Sequence, residues 1–154
     1  MSVLVELPGT RTLSLATLVL DLNGTLARRG ELLGGVRERL DALGQRMNLH
    51  ILTADTFATA TPLALELRVA LRRVSTGSDK RRLVERLGAE RCVAVGNGAN
   101  DAEMLAAARL GIAILGPDGA SAAALRNADV CFRSIREALD ALLEPTVLTA
   151  TMRP

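Results

Sequence analysis

The chain has 154 residues, 49% of them apolar, and a formal charge of +2. That is enough for one domain with a real core, and the composition excludes disorder. Phe57 and Phe132 are the only aromatics, so base-stacking platforms are excluded, and the small charge argues against a nucleic-acid partner.

Val3 to Leu7 and Thr12 to Leu15 alternate on either side of Pro8-Gly9, which predicts an N-terminal hairpin. Leu18 to Leu20 form an apolar run suited to a strand buried on both faces; it ends on Asp21. ARRGELLGG follows as a polar, turn-rich stretch. Val36, Leu40 and Leu43 then share one face of a helix that closes near Gly44. Leu49 to Leu52 is a second buried strand leading into TADT, and His50 within it reads as a packed side chain. Thr56 is expected to cap a helix over 57–66, confined by Pro62. Val69 to Val74 reads as an edge-like strand with Arg72 and Arg73 exposed. Gly77-Ser78-Asp79 opens a helix carrying Lys80, Leu83, Val84 and Leu87, stopped by Gly88.

Cys92 to Val95 is another buried strand, followed by GNGAND and an Ala-rich helix over 101–109. Ile112 to Leu115 is a strand, GPDG a turn, 120–127 a helix, Val130 to Phe132 a strand and 135–143 a last helix. Pro145 is expected to break the chain before the tail. Alternating strands and helices predict an α/β fold: a doubly wound, Rossmann-like parallel sheet with helices on both faces. No linker or repeat divides the chain, so residues 1–154 read as one domain with no inserted cap.

Cys92 and Cys131 each lie beside an apolar run and are expected to be buried free thiols, as in a reducing compartment. The N-terminal stretch has no charged region before a long apolar core, so no signal peptide is expected. No uncharged apolar stretch reaches membrane-spanning length, and a cytoplasmic location with no membrane partner is expected. Every basic residue is arginine except Lys80. Lysine is a compact charge that arginine's wide fork cannot always replace, so Lys80 is a candidate functional residue.

In a parallel sheet the carboxyl ends of all strands face one edge, where ligands bind. Asp21-Asn23-Thr25, Thr53 with Asp55, Lys80, and Asn97-Asn100-Asp101 all fall at such ends. Together they suit phosphoryl transfer. Asp21 can attack phosphorus as a carboxylate nucleophile. Asp21 and Asp101 offer hard oxygens to Mg²⁺, the main-chain carbonyl of Asn23 adds another, and Asn97 can act through water. Thr53, with Ala54 after it, and Lys80 can hold the non-bridging phosphoryl oxygens. Gly96 and Gly98 let backbone approach the site closely.

DLNGTLA, LTADT, the sole Lys80 and GNGANDAEML, in that order between Leu18 and Leu115, resemble the four motifs of the haloacid dehalogenase superfamily. The resemblance implies that Asp21 is the nucleophile, forming an aspartyl-phosphate. It further implies that Thr53 and Lys80 bind phosphate, that Asp101 is the acidic metal ligand, and that Mg²⁺ is the cofactor. Two departures stand out. The phosphatase pattern is DxDGT, whose second acid is Asn23 here, and an amide neither protonates an alkoxide nor activates water. The fourth motif often begins GD, and here Asn97 holds that place. Both changes are expected to weaken metal binding and slow hydrolysis of the phospho-enzyme. DLNGT, Thr53-Ala54-Asp55 and GNGAND also resemble the phosphorylation domain of P-type ATPases, whose DKTGT motif likewise lacks the second acid. The ion-transporting helices and a nucleotide-binding domain have no counterpart in the sequence.

The leading expectation is a Mg²⁺-dependent phosphohydrolase acting on a phosphorylated small molecule or other phosphoryl donor. The lack of a cap is similar to phosphatases of sugar-acid and mannosyl phosphates, some of which shield the site by homo-oligomerising, with 28–35 in the place of the family's flap. A catalytically weak or non-catalytic regulatory protein that binds phosphate and metal is the alternative that Asn23 suggests. A receiver domain with a phospho-acceptor Asp is a third, although it would lack NGT and the late GNGAND cluster.

Overall fold

The structure is a computed structural model that describes residues 1–54, 57–74 and 76–154, with the backbone alone for 57–61. Asp55 and Thr56, expected at a strand end and a helix cap, lie outside the described residues. Six strands form one parallel sheet in the order β10-β9-β8-β3-β6-β7. They are β3 (Thr17–Asp21), β6 (Asn48–Thr53), β7 (Ala70–Arg73), β8 (Cys92–Gly96), β9 (Leu110–Ile114) and β10 (Val130–Phe132). Every pairing among them is parallel. The chain runs outward from β3 through β6 to β7, then returns to β8 on the other side of β3. The reversal puts a topological switch point between β3 and β8, where doubly wound sheets open a ligand crevice.

The alternation of β3 assigns its two faces. Leu18 and Leu20 pack with Val36, Leu40, Leu43 and Leu139, so α1 (Val36–Gly44) and α6 (Ile135–Leu143) cover that face. Val19 packs with Val84, Met104, Leu105 and Ala124 under α3 (Gly77–Gly88), α4 (Ala102–Ala107) and α5 (Ala122–Asn127). Asp21 lies two residues beyond Val19 and therefore points to the α3 side. α2 (Phe57–Leu67) precedes edge strand β7 and carries Pro62 within it. Leading the chain is the antiparallel pair β1 (Val3–Val5) and β2 (Leu13–Leu15), the expected hairpin. Among the described residues no cap domain is inserted, and no helix is long and apolar enough to cross a membrane.

Three features differ from the expectations. Pro145 does not end regular structure but caps α7 (Thr146–Met152), which buries Leu148 completely. The ring fixes φ near the helical value, and a missing N–H costs nothing at a helix start. The stretch after Ala27 is a hairpin, β4 (Ala27–Arg28) with β5 (Glu31–Leu32). Arg29 at φ 53° and Gly30 at φ 79° make the two-residue turn that matches strand twist. Finally, Cys131 is exposed because β10 is an edge strand, whereas Cys92 is buried in β8; both are free.

Leu148→Ala should destabilise the protein by about 2–4 kcal/mol, as deletion of a fully buried leucine does, with urea denaturation as the measurement.

Candidate active site

Lys80 is aimed at the carboxyl edge of the sheet by the pattern of α3. It shares that helix's buried face with Leu83 and Val84, three and four residues on, so the side chain points at the sheet. Thr76 starts the helix, accepting a hydrogen bond from the Asp79 N–H. The Lys80 ammonium donates to Asp21 Oδ1 at 3.0 Å and to Asp101 Oδ1 at 2.7 Å. Lys80 is 1% exposed, Asp101 0% and Asp21 9%.

Two carboxylates therefore face one ammonium. Burial, and next the charge of Asp101, push the Asp21 carboxyl up to about 6, outweighing Lys80 and the Thr25 hydroxyl. Burial alone would lower the Lys80 pKa, but the two carboxylates outweigh it and raise the pKa above the usual lysine value. The surplus is negative.

The Asp101 carboxylate accepts three hydrogen bonds. Oδ2 accepts the backbone N–H groups of Asn97 at 3.0 Å and Gly98 at 2.9 Å, while Oδ1 takes the lysine. Gly96 allows this, since a Cβ there would stand 2.5 Å from Asp101 Cγ. Asn97 faces outward from the same loop. Its Nδ2 donates to the Gly119 carbonyl at 2.9 Å, which turns Oδ1 toward the Thr25 hydroxyl at 3.5 Å. The Thr25 hydroxyl also lies 3.4 Å from Asp21 Oδ2, so Asp21, Thr25 and Asn97 form one polar line.

The turn after β3 is held by Leu22, whose carbonyl accepts the N–H groups of Thr25, Leu26 and Ala27. Gly24 adopts φ 76° there, a conformation that favours glycine. Asn23 is exposed at this turn, and Thr53 ends β6 buried beside it, with Ala54 exposed after it. Asp21 pairs with Leu52 in register, which sets Thr53 one residue beyond the nucleophile candidate on the neighbouring strand. Asp21, Lys80, Asp101, Asn97 and Thr25 are thus brought into contact; Asn23, Thr53 and Ala54 share the same sheet edge. His50 is half-buried in mid-β6, its pKa lowered by burial and by Arg72, and it takes no part in this cluster.

A divalent cation suits this donor set. The net negative charge of the buried trio invites one, and the Asp21 carboxylate and Asn97 carboxamide oxygen are hard donors on one side of it. One residue at the rim escaped the sequence reading. Asp118, in the GPDG turn after β9, lies over Gly24. Turn chemistry explained that motif, yet a loop after a parallel strand falls on the same edge as the other clusters.

A sign follows for stability. An acid whose folded pKa is raised favours the protonated native state, so stability falls as pH rises from about 4 to about 6. Asp21→Asn removes that cost. In buffer free of divalent cations the variant should be more stable than the parent at pH 7.5, and the gap should close toward pH 4. Urea denaturation at the two pH values checks it.

The family of haloacid dehalogenase-like hydrolases matches residues 10–109. The uncharacterized protein MJ0073 of Methanocaldococcus jannaschii is 39% identical over 64 residues, 42% of this chain and 69% of that protein. The fold is similar to 3-deoxy-D-manno-octulosonate 8-phosphate phosphatase from Moraxella catarrhalis, solved with magnesium, phosphate and KDO. That likeness has a TM-score of 0.72 and 18% identity, covering 90% of this chain and 94% of that one. It is also similar to a zinc-transporting PIB-type ATPase in the E2.Pi state, with TM-score 0.65 and 27% identity, covering 78% of this chain and 20% of that one. The buried lysine between two carboxylates, on a sheet of this order, is thus found in a chain that belongs to the haloacid dehalogenase-like hydrolases.

Proposed function

We propose that the protein is a Mg²⁺-dependent phosphohydrolase in which Asp21 is the nucleophile. The carrying observation is the Lys80 ammonium bound to both Asp21 and Asp101 at the carboxyl edge of the sheet. An ammonium has three N–H donors, so one remains for a phosphoryl oxygen. The Thr53 hydroxyl and the main chain at Ala54 would hold the other non-bridging oxygens from the neighbouring strand end.

Asp21 then attacks phosphorus: its oxygen forms the new P–O bond, the ester P–O bond breaks, and the leaving alkoxide takes a proton from solvent. Water next attacks the aspartyl-phosphate, breaking the bond to Asp21 and releasing inorganic phosphate. Asn23 can assist neither proton transfer, so esters with acidic leaving groups should react fastest and the second step should be slow. Asp21, Asn97 and the Asn23 carbonyl would hold Mg²⁺, which supplies charge neutralisation to the incoming phosphate. The sequence assigns Asp101 to the metal and Asn97 to a water-mediated part. The hydrogen bonds argue for the reverse: Asp101 positions Lys80 and the loop, and Asn97 is the outward-facing donor.

Two amides where acids are usual also favour a second reading, a catalytically weak or non-catalytic protein that binds phosphate and metal for regulation. A receiver domain is set aside by the family. With Mg²⁺ and an aryl phosphate, phosphate release should exceed background and disappear in Asp21→Asn. Mg²⁺-dependent phosphate binding without turnover would favour the regulatory reading. Asn23→Asp should raise alkyl phosphate hydrolysis by about 10²-fold, within the usual range for general acid–base catalysis; phosphate-release kinetics on paired aryl and alkyl esters measure it.

A further inference from the structure

Three observations converge on the GPDG loop. First, the loop comes close to the turn after β3. Gly116 adopts φ 57°, and a Cβ on it would stand 3.1 Å from the Gly24 carbonyl, so little but glycine fits between the two loops. Second, it is locked onto the Asn97 loop, through Asn97 Nδ2 to the Gly119 carbonyl and the Ser121 N–H to the Asn97 carbonyl at 2.8 Å. Third, the lock leaves a carboxylate at the join. Asp118 Oδ2 lies 3.0 Å from the point where a Gly24 Cβ would sit, and the Asn97 carboxamide nitrogen and oxygen lie 3.2 and 3.4 Å from that same point.

The other Asp118 oxygen faces the β4–β5 hairpin, 3.8 Å from Arg28 Nε. That is too long for a hydrogen bond, and both side chains are about half exposed, so the pair is loose. Arg28 therefore offsets part of the carboxylate's charge without fixing its position.

We propose that Asp118 is a positioning residue that restores, from outside, the negative charge missing at Asn97, holding a divalent cation through bound water. The proposal rests on the reading of the site given above. The carboxamide supplies an oxygen without charge, and the adjacent carboxylate supplies charge without direct ligation. Arg28 works in the opposite sense, since its guanidinium offsets the same charge.

The test is a Mg²⁺ titration of ¹⁵N-labelled protein, with the dissociation constant read from the amide shifts of Gly24, Gly98 and Gly119. Asp118→Asn should weaken Mg²⁺ binding by about tenfold, the low end of what loss of an outer-shell partner costs a metal site. Asn97→Asp in the Asp118→Asn background should restore the affinity, and Arg28→Gln alone should tighten it. Asp41→Asn, on the exposed side of α1, should change nothing. Wild-type shifts at Gly24 and Gly98 with an unaltered constant in Asp118→Asn would overturn the role of Asp118 and leave the site reading standing. Absence of those shifts in the wild type would overturn both. If Asp118→Asn loses the dispersed spectrum of the fold, Asp118→Glu serves instead. It keeps the charge and should stay within about threefold of wild type, as a screened charge moved by one methylene should; a loss as large as expected for the amide would overturn the proposal.

Discussion

The ammonium of Lys80, enclosed between Asp21 and Asp101, is the constraint on which the rest of the crevice depends. Removing the Lys80 charge would leave two buried carboxylates facing each other, and removing that of Asp101 would free the loop it gathers, both costly in a low-dielectric interior, whereas Asp21 carries the surplus charge. Lys80 is nearly inaccessible and Asp101 fully so; the two ion pairs of Lys80 tie α3 to the end of β3 and to the loop after β8. The same pair fixes the Asn97–Gly98 loop, because the far side of the Asp101 carboxylate gathers that loop's N–H groups. Arginine at residue 80 would bring a wider, planar fork into a space that holds a point charge, which accounts for lysine in a chain otherwise using arginine.

Asp21 sits in an environment that resists its charge, and an arriving cation or a bond to phosphorus would relieve that resistance. The neutral residues around it, Asn23 and Asn97, keep the crevice less negative than two further acids would.

Much of the fold was readable because its core is simple. β3 and β8 carry short, unbroken apolar runs, while Leu, Val and Ala recur at helical spacing in α1, α3 and α6, so strands and helices were told apart by length and spacing. The contact among Asp21, Lys80 and Asp101 was legible because parallel strand ends must share an edge. What escaped depends on tertiary context. α7 is seven residues long with three threonines and a valine, a weak helix former held by Leu148 and its neighbours. The β4–β5 hairpin turns at Arg29, a residue that turn statistics do not suggest for a left-handed conformation. Strand order put Cys131 at an edge, and no local pattern encodes that order. Spacing placed Asp101 in the site but does not say which way its oxygens face.

The reversal of strand order has a consequence for biogenesis. β3, the central strand, acquires its β6 neighbour early, but its other flank stays bare until β8 has left the ribosome, more than 70 residues after Asp21. Until then Asp21, Lys80 and Asp101 belong to separate segments of the chain. A nascent chain therefore lacks the Asp21–Lys80–Asp101 cluster, which assembles only when the sheet closes on both sides of β3.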